Sequence, residues 1–146
     1  MVDVLQARGA LDRVLELTVL LGDDMARDLA RRGLTGSRAH LVWELHRLGP
    51  STQQTLADAL GVTPRAITGL VDALAEGGFV TRERHPRDRR ATLVTFTKQG
   101  ARAAEALERD HIELAGRLFG DMPVTTFRGF TRGLDAVLLR LREVLA

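Results

Sequence analysis

Residues 61–96 read GVTPRAITGLVDALAEGGFVTRERHPRDRRATLVTF, and the period of the apolar residues changes within them. Ile67, Leu70, Val71 and Leu74 recur at helical spacing. Thr63 is placed to cap that helix, and Pro64 falls at the first helical position, where its missing N–H costs nothing. Gly77 and Gly78 then stop it. Beyond them Val80, Thr81, Thr92, Val94 and Thr95 are β-branched and suit two strands. The polar, proline-bearing link HPRDR makes a turn. The stretch predicts a helix over 64–76 and a hairpin over 80–95 with its tip near Pro86 to Arg89.

Working outward, STQQTLADALG just upstream predicts a short helix that ends at Gly61. Ser51 is its expected cap, with Gln54 three residues on completing a capping box. This helix and the next meet at LGVTP, a tight turn of the helix-turn-helix type. SRAHLVWELHRLG predicts a helix capped by Ser37 and closed by Gly49, with Leu41, Leu45 and Leu48 on one stripe. Residues 3–32 form the first helix. Leu11, Val14, Leu15, Thr18, Leu21, Met25 and Leu29 recur at its helical spacing, and Gly33 and Gly36 are the expected stop signals. Leu17, Val19 and Leu20 widen its stripe beyond one face, so it is expected to be buried on more than one side.

After TKQG, Ala104, Leu107, His111, Leu114, Ala115 and Leu118 mark a fifth helix. GDMP breaks it. A sixth carries Phe127, Phe130, Leu134, Val137, Leu138, Leu141 and Leu145. The fold class is mainly α with a small β-hairpin. A helix-turn-helix followed directly by a basic hairpin is a winged helix. Residues 1–146 are expected to form a single domain. Within it, 37–99 make the winged lobe, and 3–34 with 101–146 supply helices that bury against a second copy of the chain.

Composition narrows the function classes. A chain of 146 residues with 45% hydrophobic content has enough length for a real core. The formal net charge is only +2, and Lys98 is the single lysine beside 20 arginines. With no Cys and no Tyr, little titrates between His and Arg, so the sequence pI near 10.3 overstates basicity. If an anion is bound, the placement of the arginines is the reason, not their number. No disulfide, thiolate zinc site or thiol switch is available. The N-terminus lacks the features of a signal peptide, and no apolar run approaches a membrane span. The expectation is a soluble, cytoplasmic protein with no membrane association. The preference for arginine over lysine points to a GC-rich bacterial genome.

The charge is concentrated at one place. Residues 82–90 hold five arginines against Glu83 and Asp88, a local +3 that exceeds the +2 of the whole chain. The plain alternative is a solvated hairpin. Following a helix-turn-helix, positive charge at a hairpin tip is what phosphate binding needs, and arginine suits a narrow minor groove. Arg87 and Arg89, at the tip, are expected to contact phosphate. Asp88 is expected to hold one arginine through a planar, bidentate fork. Arg82 and Arg84, on the strand leading in, are expected only to keep the hairpin soluble. Thr63, Arg65, Ala66 and Thr68 occupy the first turns of the 64–76 helix, where a groove-inserted helix touches bases. Arg65 can fork onto guanine, and the Thr methyls can meet thymine.

Residues 51–100 closely resemble the MarR family of bacterial transcription regulators. The most specific part is GGFVTRERHPRDRRATLVTFTKQG: a glycine, an apolar pair, a basic wing with Asp-x-Arg, a strand, and T-x-x-G. The resemblance implies a homodimer on a pseudo-palindromic, double-stranded operator, with helix 64–76 in the major groove and wing 80–95 in the minor groove. It implies a repressor role, with the first, fifth and sixth helices at the dimer interface. In the family the wing aspartate orients an arginine, which here maps to Arg90, and the resemblance makes Arg90 the expected groove reader. A small-molecule effector would bind between the dimer region and the DNA-binding lobe, where Leu21, Met25, His40 and Trp43 are candidate lining residues. One departure is Gly69, where many members carry a basic residue. It costs the helix about 1 kcal/mol against alanine and leaves more of the groove reading to Arg65.

No metal, cofactor or enzymatic activity is expected. His40 and Glu44 stand at i, i+4, but no zinc-ligand cluster accompanies them. No P-loop, G-x-S-x-G or H-E-x-x-H occurs. The alternative function is a winged-helix protein–protein module whose basic wing meets an acidic partner.

Overall fold

The computed structural model describes all 146 residues. Six helices and three short strands follow in the order α1 (Val4–Arg31), α2 (Gly36–Leu48), β1 (Ser51–Thr52), α3 (Gln53–Leu60), α4 (Pro64–Glu76), β2 (Val80–Arg84), β3 (Thr92–Phe96), α5 (Lys98–Phe119) and α6 (Val124–Leu145). The chain divides into two compact units, Met1–Glu105 and Ala106–Ala146.

The core lies in the first unit. Leu41, Val42 and Leu45 of α2, Leu56 of α3, Ile67, Val71 and Leu74 of α4, and Val94 of β3 are fully buried together. The α4 residues are the apolar stripe read from the sequence. Thr63 caps α4 by accepting from the Ala66 amide at 3.1 Å, and Pro64 opens it. Gly61 takes a left-handed φ of 68° at the turn between α3 and α4, a conformation that side chains resist.

Several local expectations are corrected. The cap of α2 is Thr35, which accepts from the Arg38 amide, so Gly36 begins that helix rather than ending the previous one. The cap of α3 is Thr52, which accepts from the Thr55 amide at 3.2 Å. Ser51 is buried, its hydroxyl donates to the Gly49 carbonyl at 2.7 Å, and Gln54 bonds Asp58, so no capping box forms there. Ser51 and Thr52 instead form a two-residue strand that pairs antiparallel with Val94 and Leu93. The hairpin is thus part of a three-stranded sheet of order β1-β3-β2. A two-residue strand is too short for alternation to reveal it.

The fifth helix starts at Lys98, because Thr97 initiates it. The Thr97 hydroxyl accepts from the Gly100 amide at 3.0 Å and donates to the Gly78 carbonyl at 2.6 Å. The Thr97 amide donates to the Phe79 carbonyl at 3.1 Å. Gly100 is buried against that same carbonyl, and a methyl added there would collide with it.

The first helix does not bury its wide stripe within the chain. Leu29 is its one buried residue, while Leu11, Leu15, Val19 and Leu20 are each more than half exposed. No residue of α6 is buried, although Phe127 and Phe130 pack on Phe119 with ring centroids 5.7 and 5.8 Å apart. No helix is long and apolar enough to cross a membrane.

Candidate nucleic-acid interface

The sequence-predicted surface is built from two pieces. The first is the start of α4, where Thr63, Arg65, Ala66 and Thr68 are all exposed. Their inward neighbours Ile67 and Val71 are buried, which fixes this face of the helix outward. The Thr68 hydroxyl is committed: it donates to the Pro64 carbonyl at 2.9 Å and accepts from Gln53 Nε2 at 3.1 Å. What Thr68 presents to a ligand is therefore its methyl group.

The second piece is the loop from His85 to Ala91, closed by the His85 amide donating to the Ala91 carbonyl at 3.0 Å. His85 Nδ1 accepts from the Arg87 amide at 3.0 Å and the Asp88 amide at 3.2 Å. The Asp88 carboxylate accepts from the Arg90 backbone amide at 3.0 Å. The expected fork between Asp88 and an arginine guanidinium is replaced by this contact, a local turn of the kind short carboxylates favour. One carboxylate spent on a backbone N–H leaves the Arg87, Arg89 and Arg90 side chains exposed, with no acidic group holding them. The loop is thus shaped by His85 and Asp88, and its arginines are free to act.

Arg82 departs most from its expectation. It shares a face of β2 with buried Val80, the face turned towards the helices. Its Nε donates to Gln53 Oε1 at 3.0 Å, and its Nη2 donates to Asp72 Oδ1 at 2.5 Å. It is a tie between elements, not a solubilising charge. Sequence reasoning missed Gln53, Asp72 and His85 as well. The step of two from Val80 was a usable signal for Arg82, and the turn chemistry of HPRD a weaker one for His85. Gln53 and Asp72 lie 29 and 10 residues from Arg82, so no local pattern links them.

A shallow groove of about 370 Å³ runs beside α4, lined by Ser37, His40, Leu60, Val62, Ala66, Gly69 and Leu70. Of the four candidate effector residues, only His40 lines it; Leu21, Met25 and Trp43 do not. His40 Nε2 stands 3.9 Å from Glu44, and no His, Asp and Glu group that could hold a metal is present.

This arrangement defines a winged helix-turn-helix protein, and known proteins place it further. The sequence profile of the MarR family matches residues 34–92. It is 35% identical over 92 residues to the HTH-type transcriptional repressor YetL of Bacillus subtilis, across 60% of this chain and 53% of that one. The match thus spans about half the length of that relative. Streptococcus pneumoniae FabT, solved in complex with DNA, superposes with a TM-score of 0.81 at 18% identity, over 97% of this chain and 99% of that one. AbsC, a MarR family transcriptional regulator from Streptomyces coelicolor, superposes with a TM-score of 0.75 at 20% identity, over 98% of each chain. The fold is shared with both.

Proposed function

We propose that the chain is a dimeric, sequence-specific DNA-binding transcriptional regulator that acts as a repressor and is released by a small-molecule effector. The observation that carries the reading is the wing loop: three exposed guanidinium groups, Arg87, Arg89 and Arg90, on a backbone already fixed by His85 and Asp88. Pre-shaped positive charge needs little ordering when it meets phosphate. The name of the relative YetL and the DNA complex of FabT support the same reading. In it, α4 enters the major groove with Thr63, Arg65, Ala66 and Thr68 towards the bases. The wing reaches the minor groove, with Arg90 inserted and Arg87 and Arg89 on phosphate. Two-fold symmetry then sets half-sites about 34–36 Å apart.

The test is selection of a duplex from random-sequence DNA, followed by titration against salt. About four phosphate contacts, two per protomer, give a log–log slope of roughly −3.6. A flat salt response overturns the reading.

A further inference from the structure

Resting on that reading, we infer that Arg82 is a positioning residue that sets the wing against the recognition helix, and that it is not itself a contact to DNA. Three elements meet at its guanidinium: the start of α3 through Gln53, the middle of α4 through Asp72, and β2, which carries Arg82 itself. Gln53 extends the chain to the Thr68 hydroxyl on the reading face of α4. The wing's first strand is thereby joined to the helix at two points, Asp72 and, by way of Gln53, Thr68.

Charge and geometry both set Arg82 apart from the other wing arginines. Its side chain is 34% exposed and faces an aspartate, whereas Arg87, Arg89 and Arg90 point from a loop with no acidic partner. A guanidinium already forked between a carboxylate and an amide oxygen must break both contacts to reach a phosphate. An ion pair this exposed contributes little to overall stability. Its effect is on where the wing stands, and a wing displaced by an ångström or two no longer places Arg90 and α4 in adjacent grooves.

The test is charge reversal across the pair. The full-length chain is prepared as wild type, Arg82→Glu, Asp72→Arg and the double variant Arg82→Glu/Asp72→Arg. Each is measured for affinity to the duplex selected by the wild type, for melting temperature, and by ¹⁵N relaxation of the wing amides without DNA. Each single variant should lose at least tenfold in affinity and gain wing mobility, with a melting temperature close to wild type. The double variant should recover affinity to within about threefold and restore the wing's order. If Arg82 touched phosphate, the double variant would carry a repelling glutamate there and bind as weakly as Arg82→Glu; that result overturns the inference. Unchanged affinity and wing mobility in both single variants also overturns it. If the wild type selects no duplex, the DNA-binding reading fails instead, and the relaxation measurements alone decide whether Arg82 holds the wing.

Discussion

Arg90 and Gly69 carry opposite expectations at the scale of single residues. The Arg90 side chain is exposed and has no partner within the chain, while its backbone amide is held by Asp88. Replacing it with alanine leaves the loop's hydrogen bonds in place. Arg90→Ala should therefore cost about 1–3 kcal/mol of DNA binding with the melting temperature unchanged, measured by fluorescence anisotropy beside a thermal scan. Equal affinity would remove Arg90 from the interface. Gly69 sits in the interior of α4, and a methyl added there meets nothing within 4 Å. Gly69→Ala should raise stability in denaturant by about 1 kcal/mol, the helix-propensity difference between the two residues. A loss of stability would show that the groove beside α4 cannot accept even one carbon.

Among the elements, the clearest constraint is the approach of α5 to the strand that begins the wing. Gly100 lies against the Phe79 carbonyl, with Phe96 also close by. Gly100→Ala must push the first turn of α5 away from β2, and overpacking of this kind costs about 1–3 kcal/mol. Denaturant unfolding of the variant should show that loss; an unchanged midpoint would mean the turn shifts freely. This contact also marks how far the sequence could be read. The stripe of α4, its Thr63 cap and the hairpin followed from period and turn chemistry, because each is settled within a few residues. The Thr52 cap went to Ser51 instead, because two adjacent hydroxyls look alike until the sheet claims one of them. The sheet's third strand, the start of α5 at Thr97 and the tie from Arg82 all depend on residues far apart in sequence. The fork expected of Asp88 was misread, since a backbone amide two residues away competes successfully with a flexible guanidinium.

The whole molecule raises the question of what covers its terminal helices. Leu11, Leu15, Val19 and Leu20 of α1 and Val137, Leu138, Leu139 and Leu141 of α6 are all exposed. Apolar surface on this scale marks an interaction site rather than ordinary scatter. In the dimer proposed above, these are the residues that a second copy buries. Deleting residues 124–146 should yield a monomer or an insoluble chain, read by light scattering after size exclusion. A stable truncated dimer would place the interface elsewhere. The breadth of the α1 stripe was legible in the sequence, and so was the need for a surface beyond the chain's own small core to bury it. An amphipathic pattern reports that a face needs covering and carries no information on which chain covers it.

The Thr97 hydroxyl binds the root of the wing at Gly78 to the first turn of α5 at Gly100. With the Thr97 amide on Phe79, three hydrogen bonds of about 1 kcal/mol each cross that joint. A tilt of the start of α5 would strain these bonds and so pull on the base of β2. Leverage applied to α5 would thus arrive at the fingertip of arginines as a change of angle, with no ligand needed near the wing.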